Sequence, residues 1–354
     1  MRIAIACATL GMVERGGEIQ LCELARRMAR RGHEVSIYSG APLAIVGVAV
    51  LPQPTSPSWP MARDRLDRWW FALHAYRRMW EDPPDVVVPI TPPVHEHLAR
   101  AMRRMHGTRM VSLGLGGPDH DRMRLEQGPD LFLAPSPRAV REAKALAPRT
   151  RVQIMPPGVD LDWFTPRGDA AAIGELPRPI IGIVGALIPC KRVELAIDAV
   201  RLMSRGSLLV IGKGPLRARL EARARKSANP IRFLDGVPAR EMPRYYRAMD
   251  VLCFPADPGE TFGMVIVEAL ACGTAVVATD DEVRRWILGS TLGSSGFVCD
   301  VTQARPLAEA LDRAGRGGER NVAARAAAER FSWEHASDIL DAELSRLARP
   351  DLRS

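Results

Sequence analysis

Two glutamates eight positions apart, Glu260 and Glu268, bracket a glycine and an apolar run in GETFGMVIVEALACGTAVVAT, residues 259–279. The run from Met264 closes at Gly273, as a helix with a glycine beyond its C-terminus does, and TAVVAT reads as a short buried strand. Glu268 then lies one or two turns into the helix. Glu260 sits in the loop ahead of it, with Gly263 between them. A helix N-terminus presents backbone N–H groups and a partial positive charge that suit a phosphate, and a loop glycine lets a ligand approach the backbone closely. A diphosphate on those amides, flanked by carboxylates that accept hydrogen bonds from hydroxyls, describes the recognition of a nucleotide sugar. The competing reading is that both glutamates simply complement the helix dipole.

Three more loops carry candidate chemistry. GMVERGGE, residues 11–18, puts Gly16 and Gly17 between a first strand and its helix, where amides can meet a phosphate or a donor sugar. It lacks the Gly-x-Gly-x-x-Gly spacing of nicotinamide and flavin sites, and no cofactor is expected. GALIPCKRVELAIDAV, residues 185–200, sets Gly185 after a strand and Lys191 and Arg192 at the mouth of the next helix. Cations there can neutralise a diphosphate leaving group, although a solvated pair has the same spacing. LVIGKGP, residues 209–215, is a further glycine turn, with Lys213 expected at the surface. The triplet DHD, residues 119–121, has the form of a metal-holding pair of carboxylates. Placed in a Gly and Pro-rich loop away from the other motifs, it does not lead us to expect a metal.

The elements that must position these loops alternate between apolar strands and amphipathic helices. RIAIA, GEIQLCELARRMARRG and HEVSIYSG open one series, continued by DVVVPI, RMVSLGL, DLFLAPS and the helix SPRAVREAKALAP. After a Pro, Gly and Asp-rich joint at 156–179, a second series runs through IIGIVGAL, SLLVIG, IRFLDG, VLCFP and AVVAT. That order predicts an α/β chain of two Rossmann-like parallel-sheet domains with a cleft between them, ligands binding beyond the carboxyl ends of the strands. A length of 354 residues suits two domains. No uncharged apolar run is long enough to span a bilayer. The opening stretch reads as a strand, not a signal peptide. Six scattered cysteines without metal-ligand spacing read as core residues in a reducing cytosol. The net charge of +8 rests almost wholly on arginine, since four of the 49 basic residues are lysines, and by itself does not point to nucleic acid.

The second series resembles the donor domain of the retaining glycosyltransferases of family 4, which have the GT-B fold. The likeness runs through PPGVDLDWFTP, GALIPCKRVELAIDA, VIGKGP, FLDGVPAREMPRYYRAMDVLCFPA and GETFGMVIVEALACGTAVVAT, and GGEIQLCELARRMARRGHEVSIYSG resembles the family's opening helix and second strand. It covers roughly 155–280 and 1–40 and fades between 45 and 130. The resemblance implies an N-terminal acceptor-binding domain at 1–165, a C-terminal donor-binding domain at 166–333, and a C-terminal helix at 334–354 crossing back to the first domain. It implies that Glu260 contacts hydroxyls of the transferred sugar and Glu268 the ribose. The amides of Phe262, Gly263, Met264 and Val265 would hold the diphosphate or sugar, Lys191 the diphosphate, and the backbone around Val237 the base, with Gly17 closing from the first domain. Two positions depart from the family. Ala186 stands where many members carry an arginine, so that Arg192 substitutes or Lys191 acts alone, and Gly114 stands where many carry a histidine. His95 and His120 are the candidates to replace that histidine, each weighed against a plain surface role.

WPMARDRLDRWWFALHAYRRMWEDPP, residues 59–84, mixes tryptophans with arginines. Its readings are contact with an anionic bilayer, stacking of an acceptor, or packing with Trp69 and Leu73 inward, of which packing leads. The expected protein is a retaining, metal-independent transferase in the cytoplasm or at the inner face of the membrane. It moves a sugar from a nucleotide diphosphate sugar, UDP-sugar favoured, to a hydroxyl of a glycan, lipid-linked or natural-product acceptor. An epimerase of nucleotide sugars or a non-catalytic sugar-phosphate binder is the alternative.

Overall fold

A computed structural model describes residues 1–12, 16–54, 65–90, 94–115, 117–316 and 322–348. The chain divides into two compact units, Met1–Gly158 with Trp333–Ser354, and Val159–Ser332.

In the first unit β1 (Arg2–Cys7) leads to α1 (Gly16–Arg30), β2 (Glu34–Ser39), β3 (Ala49–Pro52) and α2 (Arg65–Glu81). There follow β4 (Val86–Pro89), α3 (Val94–His106), β5 (Arg109–Leu113), α4 (Pro118–Glu126), β6 (Leu131–Ala134), α5 (Pro137–Leu146) and β7 (Arg151–Ile154). The strands form a seven-stranded sheet in the order β3-β2-β1-β4-β5-β6-β7, with every pairing parallel. The period-two alternation of a strand divides the core. Ile3, Ile5 and Cys7 of β1 join one apolar cluster, and Ala4 and Ala6 join the opposite one with Phe71, Tyr76 and Met79 of α2.

The second unit runs β8 (Ile180–Val184), α6 (Val193–Leu202), β9 (Ser207–Ile211), α7 (Arg217–Ala224), β10 (Ile231–Leu234), α8 (Met242–Ala248) and β11 (Val251–Phe254). It continues with α9 (Met264–Ala271), β12 (Ala275–Thr279), α10 (Glu282–Leu288), β13 (Gly296–Cys299), α11 (Ala304–Gly315) and α12 (Val322–Glu329). Its six strands are parallel in the order β10-β9-β8-β11-β12-β13. The order reverses between β8 and β11, and the loops leaving those two strands carry Lys191 and Glu260. A switch point of this kind opens a crevice at the strands' carboxyl ends, because the two connections depart to opposite faces.

The last helix, α13 (Trp333–Ala348), belongs to the first unit. Trp333, Leu340 and Leu344 are buried in the β1 cluster, each burial contributing about 2 kcal/mol. Its polar side is tied by ion pairs of Glu334 with Arg27, Asp338 with Arg31, and Glu343 with Arg151 at 2.6 Å. Trp333 lies so close over Gly158 that a Cβ there would come within 2.3 Å of its ring. The two units divide between Gly158 and Val159. Val159 belongs to the second core, and its N–H donates to the carbonyl of Phe331 at 2.7 Å.

Two expectations are corrected. The inward residues of α2 are Phe71, Ala72, Ala75, Tyr76 and Met79, while Trp69, Trp70 and Leu73 are exposed. Phe71, Ala75 and Met79 recur four residues apart, and that row, not the tryptophan row, is the buried one. Part of the 59–84 segment, residues 59–64, lies outside the described residues. DHD is not in a loop: it forms the first turn of α4, where Pro118 occupies the position that needs no N–H. There Asp121 accepts from Arg124 at 2.8 Å. Among the described residues no cluster of three His, Cys, Asp or Glu side chains could hold a metal. No described helix is long and apolar enough to cross a membrane.

Glu96, in the first turn of α3, is fully buried. The guanidinium of Arg124 stands 3.7 Å away and donates instead to Asp121 and to the carbonyl of Ile90. Burial pushes the Glu96 carboxyl up from 4.5 to about 7, with Arg124 offsetting part of the rise. The folded chain thus keeps a proton that the unfolded chain releases, and stability is lost as pH climbs from about 4.5 through about 7, by roughly 3 kcal/mol. Glu96→Gln should remove that slope. Urea unfolding at about pH 5 and about pH 8 should show a smaller loss between the two conditions for the variant than for the wild type. Equal losses would mean that Glu96 does not carry the proton.

Candidate functional site

The second unit brings most of the expected residues to one place. Lys191 ends a short 3-10 turn, Pro189–Lys191, after β8, and its Nζ lies 2.8 Å from Oε1 of Glu260. Both side chains are part-exposed, so the pair is reachable by a ligand, and exchanging it for ligand contacts costs little. Arg192 adopts a left-handed conformation at the start of α6, ion-pairs with Asp257 at 2.5 Å and reaches the carbonyl of Val301. The N–H of Asp257 donates to the carbonyl of Cys190 at 2.8 Å. Backbone and side chains together fasten the loop after β11 to the turn after β8.

That loop ends in Gly263, the N-cap of α9, with φ of 96°. A side chain there would be strained by the backbone angle and pressed against the Phe254 ring, 3.0 Å from an added Cβ. The glycine lets α9 begin abruptly, so that Met264 and Val265 present first-turn amides, which have no helical partner. Phe262 points away from the loop into the core, ringed by Trp286 and Phe331. Of Phe262, its backbone alone is placed to meet a ligand. Gly185 lies beside the Lys191 side chain, and the carbonyl of Gly185 would sit 1.8 Å from a Cβ at Gly212, which brings the ends of β8 and β9 close together. Val237 packs against the same apolar cluster as Phe262 and Met264.

Glu268 lies a turn further along α9, part-buried, and its Oε2 accepts a 2.6 Å hydrogen bond from the hydroxyl of Tyr246 on α8. Burial raises the carboxyl's pKa, and the tyrosine bond opposes the rise. Thr274 in turn donates to the carbonyl of Tyr246 at 2.8 Å, fixing α8 against the end of α9.

Residues of the first unit stand differently. Gly16 and Gly17 open α1, and a Cβ at either would meet nothing within 4 Å, which leaves their backbone approachable. Residues 13–15 of the same loop lie outside the described residues. His120 is exposed on α4. His95 is not a surface residue: it is fully buried, stacked on Phe71 with ring centroids 5.3 Å apart, its Nδ1 3.3 Å from the carbonyl of Ala6. It sits on the apolar face of α3 with Ala99 and Met102, a spacing visible in the sequence. At Gly114 a Cβ would strike Pro135 at 2.7 Å, so no side chain fits there without a shift.

With this geometry in place, comparison with known proteins is informative. Residues 15–163 match the family described as Glycosyltransferase Family 4, and residues 171–331 match that described as Glycosyl transferases group 1. Together the two matches span most of the chain, which resembles the family 4-type glycosyltransferases. It is 27% identical to the D-inositol 3-phosphate glycosyltransferase of Xylanimonas cellulosilytica, over 91% of this chain and 89% of that protein. With the D-inositol 3-phosphate glycosyltransferase of Mycolicibacterium smegmatis the identity is 34% over 59% of this chain, which spans about half of that relative's length, 50%. Sucrose-phosphate synthase from Thermosynechococcus elongatus superposes with a TM-score of 0.82 at 19% identity, covering 98% of this chain and 99% of that one. HepE of Anabaena, in complex with UDP, does so with a TM-score of 0.74 at 16% identity, covering 98% and 99%. At such identities the superpositions establish the GT-B architecture.

Two supports of the site stand outside the motifs singled out in the sequence. Tyr246 meets Glu268 from 22 residues away, and nothing local announces that contact. Arg284 was legible: three and four residues before the buried Ile287 and Leu288, it falls on the inner stripe of α10. It is fully buried, donates to the carbonyl of Glu260 at 2.9 Å, pairs with Asp281 at 3.2 Å, and lies 5.3 Å from the centroid of Phe254. Replacing it by leucine strands Asp281 and the Glu260 carbonyl. We expect about 3 kcal/mol of destabilisation in urea unfolding, and little recovery in Arg284→Lys, because an ammonium cannot serve both acceptors and the ring with one planar group. A lysine variant as stable as the wild type would contradict this.

Proposed function

We propose that the chain transfers a sugar from a nucleotide diphosphate sugar, UDP-sugar favoured, to an acceptor hydroxyl, with retention and without a metal. The observation that carries this reading is the loop after β11: Glu260 paired with Lys191 on one side of Gly263, and Glu268 beyond it on α9. The diphosphate takes the Lys191 ammonium and the amides of Gly263, Met264 and Val265. Displaced from Lys191, the Glu260 carboxylate accepts from hydroxyls of the transferred sugar, while Glu268 accepts from the ribose. As the bond from the sugar's anomeric carbon to the diphosphate breaks, the leaving oxygen gains charge beside Lys191 and the helix N-terminus, both already oriented to stabilise it. That is the work a metal would otherwise do. The acceptor hydroxyl attacks from the face the diphosphate leaves, and its proton departs with the diphosphate. Retention rests on the family resemblance.

In this reading the second unit binds the donor, with the backbone around Val237 at the base, and the first unit binds the acceptor. The relatives named for D-inositol 3-phosphate favour a phosphorylated or polar acceptor. The exposed Trp69, Trp70 and Leu73 of α2, beside the exposed Arg77 and Arg78, favour a lipid-linked one at an anionic surface.

Calorimetric titration with UDP, GDP and ADP, each with and without EDTA, tests the donor site. One nucleotide, UDP by preference, should bind equally well in EDTA, and Glu268→Ala should weaken it by about tenfold or more. Lys191→Ala should also lower kcat for donor consumption, since its contact strengthens in the transition state. Binding abolished by EDTA, or untouched by Glu268→Ala, would overturn the reading.

A further inference from the structure

We infer that Tyr246 is a positioning residue for the donor's ribose, acting through Glu268: its hydroxyl occupies one carboxylate oxygen and leaves the other directed to the ribose hydroxyls as an ionised acceptor. The inference rests on the donor site proposed above and assigns it a residue that never touches the ligand.

The geometry is specific. The Tyr246 hydroxyl donates to Oε2 of Glu268 at 2.6 Å, the length of a hydrogen bond to a charged acceptor, and among the described residues it is that carboxylate's hydrogen-bond partner. A carboxylate offers roughly four lone-pair positions, and a bond held on Oε2 pins the group's rotation. Oε1 then keeps its own positions for two adjacent hydroxyls of a ribose, both of them donors. Tyr246 is itself immobile. It is fully buried, its ring lies 6.1 Å from that of Phe164, and Thr274 holds its backbone carbonyl. Burial also lifts the phenol well above its ordinary range, so it remains a donor around neutral pH.

The charge on Glu268 needs this support. Cys272 at the end of α9 also faces Tyr246, and α8 and α12, which pack against α9, carry Arg247 and Arg325. Arg247 donates to the carbonyls of Asp169 and Thr165, and Arg325 to those of Leu161, Phe164 and Ala271. Desolvation therefore raises the Glu268 carboxyl with the tyrosine hydrogen bond as the opposing influence. Without the phenol the carboxyl protonates more readily, and a protonated acid is a poorer acceptor for two hydroxyls. Ribose binding should accordingly weaken on the acid side, and removing the phenol should move that acid limb upward in pH.

The test is calorimetric binding of UDP between about pH 5.5 and about pH 8 to the wild type, Tyr246→Phe, Glu268→Gln and the double variant. Tyr246→Phe keeps the ring and should weaken UDP about tenfold near neutrality and shift the acid limb to higher pH. Glu268→Gln should bind weakly with only the limb set by the terminal phosphate of UDP, and adding Tyr246→Phe to it should change nothing further. Thr274→Val separates positioning from structural loosening: it frees the Tyr246 backbone without touching the hydroxyl, and should lower the unfolding midpoint while leaving the acid limb where it is. If Tyr246→Phe fails to fold, Glu268→Gln carries the test, since an acid limb unchanged from the wild type in that variant would contradict the assignment to the Tyr246–Glu268 pair. Tyr246→Phe binding UDP as the wild type does, with the same limb, overturns this inference and leaves the donor site standing. A wild type that binds no nucleotide removes the donor site and the inference together.

Discussion

The Phe254 ring at the end of β11 lies near two cations, the Lys191 ammonium at 5.5 Å and the Arg284 guanidinium at 5.3 Å, and the proposed chemistry depends on that arrangement. Each cation holds a different part of Glu260: Lys191 the carboxylate, Arg284 the carbonyl. A loop of Gly, Pro and Asp residues has no regular hydrogen bonding of its own. Here it is fixed by a buried charge from behind and a part-exposed one in front. The two differ in what they can give up. Arg284 cannot leave without stranding Asp281, whereas Lys191 can exchange a carboxylate for a phosphate with little loss. The rear clamp is structural and the front one is available to a ligand.

This division of labour follows from the sheet. The turn bearing Lys191 and the loop bearing Glu260 leave β8 and β11, neighbours at the reversal of strand order, so residues some seventy apart in sequence become an ion pair. Glycine permits the close approach at two points, Gly212 against the carbonyl of Gly185 and Gly263 at the start of α9. A Cβ would be pressed against its neighbours in both cases, so glycine is required at these turns by packing as well.

Much of this was legible because it is periodic or local. The long apolar strands and the helix after Gly263 announce themselves by alternation and by their glycine punctuation. Other strands did not. β3, β7 and β13 are edge strands whose residues are mostly exposed or part-buried, so they lack the apolar run that marks β4, β6 and β11 at the same length. The tryptophans of α2 suggested an inward face by their size, yet the smaller row of Phe71, Ala75 and Met79 packs more tightly against the sheet, and Trp69 and Leu73 stay outside. Buried polar contacts are the least legible of all. Tyr246 to Glu268 and Arg151 to Glu343 join side chains far apart in the chain, whose partners are set by tertiary structure and leave no local signal.

The most direct measurement is a crystal structure of the chain with UDP bound. The account predicts ribose hydroxyls within hydrogen-bond distance of Glu268, the diphosphate on the amides at the start of α9, and the Lys191 ammonium turned from Glu260 to a phosphate oxygen. A nucleotide bound away from α9, or held through a metal ion at Asp119 and Asp121, would contradict it.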